Sequence, residues 1–267
     1  MKEYVVNGET TLKNFTDNFC APASFCFRTL LKSREIRVNG RKVSDDLPLK
    51  AGDTVRYYLT PAQERKRGFE IVYEDDAALV IDKESGVNSE AVFSALAEEG
   101  ERYFIHRLDR NTAGLMIFAK TKEAEEELLS AFRNRNVEKV YLAQVVGRMP
   151  RRHAVEEAYL IKDEAAAKVK ISLKPCGEKI VTEYETLEEG ETSLLKITLH
   201  TGKTHQIRAH LAFLGHPVAG DNKYGDEAYN RAHHLTRQRL IAKELCVYGK
   251  GALSAICGKR FVSEKNF

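Results

Sequence analysis

Apolar and polar positions along the 267-residue chain predict short strands interrupted by a few helices. "FEIVYEDDAALVIDKESG" is two apolar runs about a turn at Glu74-Asp75-Asp76. "TKEAEEELLSAFRNR" predicts a helix. Thr121 can cap it, acids fill its first half, and Arg133 and Arg135 end it where the macrodipole favours cations. Ala124, Leu128 and Phe132 make its apolar stripe, with Leu129 beside them. "EKVYLAQVVG" reads as a strand, and so does the bulky run Leu115 to Ala119. "AVEEAYLI" and "AAAKVKISL" predict a hairpin about Lys162-Asp163-Glu164, and "KIVTEYETL" and "TSLLKITLH" another about Glu189-Gly190. "HQIRAHLAFLGHP" predicts a second helix, with Ile207, Leu211 and Leu214 on one face, Gly215 as its stop and Pro217 beyond. Neighbouring strands joined by short turns imply antiparallel pairing. The expected class is α+β, with a mixed, mainly antiparallel sheet flanked by helices.

The N-terminal part follows a different pattern. Arg28 to Ser33 reads as helical, "IRVNGRKV" as two strands about an Asn39-Gly40 turn, and "AGDTVRYYL" as a strand entered through Gly52. "TPAQERKRGF" is polar and charged and reads as a linker. The expected division is a small α/β unit over 1–62 and a larger one over 63–267. Charge supports the division: residues 1–67 carry 13 Lys and Arg against 8 Asp and Glu, although the whole chain is only +3. Arg28, Lys32, Arg34, Arg37, Arg41 and Lys42 cluster there, opposed locally only by Glu35. Such a cluster fits an ordinary solvated surface or a nucleic-acid contact.

At 43% hydrophobic the chain can bury a substantial core. It has no apolar run of membrane-spanning length, and "MKEYVVNGETTLKNF" lacks a signal-peptide layout. Five scattered cysteines without a CxxC pair argue against a zinc site or a disulfide framework, and reduced thiols in a cytoplasmic protein are expected. Phosphate-loop, nucleophile-elbow and HExxH motifs are absent. His205, His210 and His216 are spaced by five and six residues, which does not stack them on one helix face.

Three segments can carry chemistry. "IHRLDRNTAGLMIFAK" places Asp109 in a polar loop ahead of the apolar run, "EKVYLAQVVG" holds Tyr141, and "HTGKTHQIRAHLAFLGHPVAGDNKYG" puts Lys203, His205, Gln206 and Arg208 at a helix start. Singly, Asp109 reads equally as a loop acid bonding backbone N–H groups, Tyr141 as a core aromatic, and Arg208 as a surface arginine.

Together they resemble a family. "HRLDRNTAGL" is similar to the HRLDxxTSGL motif of RluA-type pseudouridine synthases, and "THQIRAHLAFLGHPVAGDNKYG" to that family's second long signature. "EDDAALVIDKESG" and "KVYLA" resemble its two shorter segments, in the family's order, so the likeness spans roughly residues 69–242. "RTLLKSREIRVNGRKV" and "AGDTV" resemble the small alpha-L RNA-binding domain that precedes many such catalytic domains.

The resemblance implies a pseudouridine synthase fold and the isomerisation of uridine to pseudouridine in RNA. Large-subunit ribosomal RNA is favoured over transfer RNA. No cofactor or metal is implied, and a monomer without membrane attachment is expected. Asp109 matches the family's catalytic aspartate, Arg208 the arginine that pairs with it, and Tyr141 the active-site tyrosine. A guanidinium offsets the cost of burying a carboxylate, so its loss would leave Asp109 buried and unpaired. Arg107 matches a position suited to the gap left by a flipped base or to its phosphate. His106 could intercalate or bond backbone. Lys203 stands where the family often has Arg, keeping a charge for phosphate but not the fork. The N-terminal basic residues would add sequence-independent phosphate attraction. Three positions depart from the pattern: Ala113 replaces a common Ser, Glu84 a Pro whose loss is expected to loosen its turn, and Ile241 a common His. A non-catalytic RNA-binding assembly factor is the rival reading.

Overall fold

The structure is a computed structural model that describes residues 1–163 and 168–267. From Glu164 on, the turn expected about Lys162-Asp163-Glu164 lies outside the described residues.

Residues 2–25, for which the pattern predicts no element, form strands β1 (Lys2–Val5) and β2 (Thr10–Thr11) and helices α1 (Leu12–Phe19) and α2 (Ala21–Phe25). Helix α2 is too short to print a period, but α1 has an apolar stripe through Leu12 and Phe15 and is started by the Thr11 hydroxyl accepting from Asn14 N–H at 3.2 Å, signals that sequence reasoning passed over. Helix α3 (Phe27–Ser33), strands β3 (Ile36–Val38), β4 (Arg41–Lys42), β5 (Pro48–Leu49) and β6 (Thr54–Tyr57) follow. A four-stranded sheet runs β1-β6-β3-β4. Asn39 and Gly40 both have positive φ, as the two-residue turn between β3 and β4 requires. Leu12, Leu30, Ile36, Leu49, Val55 and Tyr57 are buried beneath it. The expected linker contains a helical turn, α4 (Pro61–Glu64), because Thr60 and Gln63 form a reciprocal capping box and Pro61 opens it.

Beyond it lie β7 (Phe69–Glu74), β8 (Ala78–Lys83), α5 (Ser89–Ala97), β9 (Tyr103–Phe104), β10 (Ala113–Ala119), α6 (Lys122–Arg133), β11 (Val137–Val146), β12 (His153–Asp163), β13 (Lys168–Ser172), β14 (Glu178–Glu189), β15 (Thr192–Leu199), α7 (Gln206–Phe213), α8 (Glu227–Ala232), β16 (Leu240–Val247) and β17 (Arg260–Val262). One sheet runs β13-β12-β14-β15-β11-β16-β10-β8-β7, with β17 added to β16 and β9 to β10. Its strand pairs are antiparallel except β10 with β16, so the sheet is mixed and mainly antiparallel. The two units share core: Ala21 and Phe25 of α2 pack with Phe69, Val87 and Leu96.

Strand β10 is buried at every position because both its faces are covered. Met116 and Phe118 pack toward α5, while Leu115, Ile117 and Ala119 pack against Ala124 and Leu128 of α6. The short parallel contact registers Ala113 with Ile241 and Gly114 with Ala242. Two departures from the family pattern are therefore neighbours: a buried methyl group stands beside a buried isoleucine. Gly114 has φ +112°, and a Cβ there would lie 2.3 Å from the Ala242 carbonyl oxygen.

The loop ahead of β10 is fastened along its length. Thr112 N–H bonds the Asp109 carbonyl at 3.0 Å, closing a turn. Ser89 Oγ donates to the Leu108 carbonyl at 2.8 Å, Gly86 N–H to Arg110 at 2.8 Å and Ser85 Oγ to Asn111 at 2.9 Å. The fully buried Lys83 Nζ donates to the carbonyls of Glu84, Val87 and Arg110. Burial pushes the Lys83 ammonium down to about 7, against the pull of the Asp109 charge, and its three protons meet three carbonyl acceptors. Glu84 does not loosen this region: its backbone N–H, which a proline would lack, donates to the Gly68 carbonyl at 2.9 Å. His106 stacks on Phe132 and its Nε2 accepts from Ile117 N–H at 3.1 Å. Burial, and secondarily the Lys139 charge, pushes this imidazole down to about 3.

Two outcomes follow for stability. Gly114→Ala combines a strained φ, about 1–3 kcal/mol, with overpacking, about 1–3 kcal/mol; urea unfolding should register a loss of roughly 2–6 kcal/mol, and a change below about 1 kcal/mol would contradict the close approach. At His106 the unfolded chain, titrating near 6.5, binds a proton that the folded chain refuses until about pH 3. The position's contribution is therefore full above about pH 6.5 and is lost as pH falls toward 3. His106→Gln should flatten the decline of the urea midpoint between pH 7 and pH 4, and curves of equal slope would refute the assignment.

Candidate active site

Two cavities meet at Asp109. One, of about 500 Å³, is walled by Leu129, Phe132, Tyr141, Leu199, Ile207 and Leu240. The other, of about 440 Å³, is polar and is walled in part by α1. Asp109, Arg107, His205 and Arg208 line both.

Arg208 comes from the first turn of α7 and is buried. Its Nε and Nη2 fork onto Asp221 at 2.7 and 2.9 Å, and its Nη1 donates to Asp109 Oδ2 at 2.8 Å. Burial works against the Arg208 charge, but the bonds and charges of Asp221 and then Asp109 outweigh it and hold the guanidinium protonated. Asp221 likewise sits below the usual carboxylate range: desolvation opposes this, and Arg208 with the N–H groups of Lys223 and Tyr224 prevails. The Asp221 side chain is inaccessible to solvent, whereas that of Asp109 is 21% exposed. The carboxylate that loss of Arg208 would strand is therefore chiefly Asp221, not Asp109. Sequence reasoning passed over Asp221 although it stands inside the second long motif, because an aspartate in "GDNKYG" reads as a turn former.

Tyr141 reaches the apolar cavity from β11, where the register against β16 shifts between Val140 and Tyr141. A bulge of this kind re-aims a side chain. Burial, and secondarily the Asp109 charge, pushes its phenol well above the ordinary range, so it is a neutral donor at physiological pH. Its hydroxyl has no hydrogen-bond partner among the described residues.

His205 precedes α7 in the left-handed conformation, φ +53°. Its Nδ1 lies 3.0 Å from Tyr224 Oη, which also accepts from Val169 N–H at 2.9 Å. With Tyr224 donating to Nδ1, the neutral ring keeps its proton on Nε2, 3.9 Å from Asp109 Oδ1. Burial pushes this imidazole down, against the pull of Asp109. Gln206 faces inward: it bonds Thr201, Thr182, Val181 and Lys203 N–H, which makes it a brace for the helix start.

The remaining residues named from sequence separate into two groups. Arg107 is exposed at the seam of the cavities and pairs with Glu90 at 2.8 Å. Lys203 lines the apolar cavity and pairs with Glu178. His106 also borders that cavity, but its Nε2 is committed to backbone, the second of the two roles open to it. Arg28, Lys32, Arg34, Arg37, Arg41 and Lys42 lie instead on the N-terminal unit, and none forms an ion pair among the described residues. Arg110, next to the candidate aspartate, turns away to the buried Asp17 of α1. Among the described residues, no three His, Cys, Asp or Glu side chains gather to hold a metal ion, and no helix is long and apolar enough to cross a membrane.

Comparison with known proteins agrees with this geometry. A family model described as RNA pseudouridylate synthase matches residues 77–213. Ribosomal large subunit pseudouridine synthase C of Vibrio vulnificus is 34% identical over 255 residues, which span 84% of this chain and 79% of that one. Ribosomal large subunit pseudouridine synthase D of Vibrio cholerae is 37% identical over 174 residues, 59% of this chain and 53% of that one. In fold, the chain is similar to human RNA Pseudouridylate Synthase Domain Containing 1, with a TM-score of 0.64 at 24% identity over 74% of this chain and 84% of that one. With the motifs in order and Asp109 bonded to Arg208 between two cavities, the chain belongs to the RNA pseudouridylate synthase family.

Proposed function

We propose that the protein isomerises uridines of large-subunit ribosomal RNA, with Asp109, Arg208 and Tyr141 as its catalytic set. The observation that carries this reading is the Asp109 carboxylate, held at 2.8 Å by a buried arginine at the mouth of an apolar cavity. The ribosomal substrate is supported by the relatives' names, which specify the ribosomal large subunit.

The reaction is balanced within one nucleotide. The C1′–N1 bond breaks, a C1′–C5 bond forms, C5 loses its proton and N1 gains one. A target inside a duplex must first be flipped out, at about a few kcal/mol, and the apolar cavity would receive its ring. Asp109 can act on the sugar as a nucleophile at C1′ or as a base at C2′. Arg208 fixes that carboxylate and limits the charge it leaves uncompensated. The Tyr141 ring would pack on the uracil face, and its neutral hydroxyl can hydrogen-bond a base oxygen or relay the C5 proton. Exposed Arg107 would meet the backbone of the extruded nucleotide by exchanging Glu90 for phosphate.

The N-terminal basic residues would contribute RNA affinity. Arg37 stands across the ladder from Lys42, while its other cross-strand neighbour, Arg56, is paired with Glu3. Like charges placed opposite one another destabilise a sheet, and a bound phosphate relieves that repulsion.

Pseudouridine mapping on unmodified ribosomal and transfer RNA tests the reading. The intact protein should modify ribosomal RNA, and Asp109→Asn should lose on the order of 10³-fold or more in rate. Arg208→Lys keeps the charge but loses the fork, so kcat should fall about 10²-fold through misplacement of Asp109. No product on either RNA would defeat the enzymatic reading, and product on transfer RNA alone would defeat the ribosomal one. Changing Arg37, Arg41 and Lys42 to Gln should weaken RNA binding uniformly and reduce the slope of log affinity against log salt by roughly 2–3. An unchanged slope would remove this surface from the RNA footprint.

A further inference from the structure

The polar cavity beside Asp109 is lined by five asparagines: Asn14 and Asn18 from α1, Asn88 before α5, Asn111 from the loop after Asp109, and Asn222 after Asp221. The arginines around them are engaged with carboxylates, and Lys223 also stands in the wall. Arg107 pairs with Glu90, Arg110 with Asp17, and Arg208 with Asp109 and Asp221. By contrast, the side-chain amides of Asn14, Asn88, Asn111 and Asn222 make no hydrogen bond among the described residues, and Asn18 uses only one N–H, donated to the Asn14 carbonyl at 2.8 Å. Beside the charges of Asp109, Lys223 and Arg107, the cavity therefore offers four wholly ungripped carboxamides, with a donor and an acceptor on each side chain. That chemistry matches the edge of a nucleobase, whose donors and acceptors a carboxamide can meet in pairs. A volume of about 440 Å³ is within the roughly 300–1,000 Å³ of small-ligand pockets.

The α1 wall is held in place. Asp17, only 1% exposed, accepts from Ser24 Oγ at 2.5 Å and is bridged by Lys13 and Arg110. Ser94 Oγ of α5 donates to the Asn18 carbonyl at 3.4 Å. Arg110 follows Asp109 directly, so one ion pair ties the N-terminal helix to the loop that carries the candidate catalytic carboxylate.

We propose that this cavity is a base-reading subsite, in which Asn14 and Asn18 of the N-terminal unit and Asn222 of the larger unit hydrogen-bond an unpaired nucleobase flanking the target uridine. The inference rests on the pseudouridine synthase reading and adds to it where sequence preference arises. The N-terminal unit then reads a base at the active site itself, in addition to attracting phosphates through its basic surface.

The test uses the full chain and an RNA stem-loop cut from a site the wild-type protein modifies in ribosomal RNA, with each nucleotide beside the target changed through all four bases. The wild type should prefer one flanking base by about tenfold or more in kcat/KM. The Asn14→Ala/Asn18→Ala variant, and separately Asn222→Ala, should reduce that preference below about threefold through KM. Saturating kcat on the best RNA should stay within about twofold and the melting temperature should be unchanged. Loss of preference with kcat retained supports the subsite. Preference identical to wild type in both variants overturns it while leaving the catalytic reading intact. An equal loss of kcat on every RNA also overturns it, since that is the mark of a disturbed loop. A wild-type protein that forms no pseudouridine overturns the subsite together with the reading beneath it.

Discussion

The geometry at the centre of this protein depends on one guanidinium shared by two carboxylates. Arg208 gives its fork to Asp221, which is fully buried, and a single N–H to Asp109, which is not. The division has a physical logic. The fork fixes the plane of the guanidinium, because two parallel bonds to one carboxylate leave it little freedom. The remaining N–H then points in a direction set by Asp221, and Asp109 is positioned by a charge that does not move. Asp221 is in turn oriented by the N–H groups of Lys223 and Tyr224. One positive charge facing two carboxylates leaves a net negative site, and the Asp109 charge pulls the fully buried Lys83, fastened to the Arg110 carbonyl, toward its protonated form against the burial that lowers it.

The backbone around Asp109 is as constrained as its side chain. Carbonyls of consecutive residues from Leu108 to Asn111 accept bonds from Ser89, Thr112, Lys83, Gly86 and Ser85. The strand that follows is buried on both faces. A carboxylate on such a loop loses little further entropy on meeting its substrate, which is what positioning for reaction demands. The ion pair from Arg110 to Asp17 carries the same rigidity outward into α1.

Helix α6, the β7–β8 turn and the β14–β15 hairpin fall where apolar spacing and caps place them. Helix α7, buried on most sides, was legible through its Gly215 stop more than through a period. Helix α2 is too short to print one; α1 carries a Thr11 cap and a Leu12 and Phe15 stripe that were there to be read and were passed over. Asp109 and Arg208 stand 99 positions apart. No local pattern joins them, and only the likeness of whole motifs suggested that they meet. Glu84 was misjudged as a loss of stiffness because the reading weighed the missing ring and not the N–H that comes with its absence. Ala113 and Ile241 looked like two separate departures; the parallel register makes them cross-strand neighbours, both buried.

That parallel register bears on how the protein is made. The strand carrying the loop can be flanked by β8 early, since both belong to the first part of the chain to emerge. Its other neighbour, β16, and the buried bond from Gln238 to Thr112, 126 positions back, arrive only when most of the chain has been synthesised. Long-range pairings of this kind form slowly, and domains assemble in the order their segments appear. The nascent chain therefore exposes its basic N-terminal segment well before the loop carrying Asp109 is fully fastened.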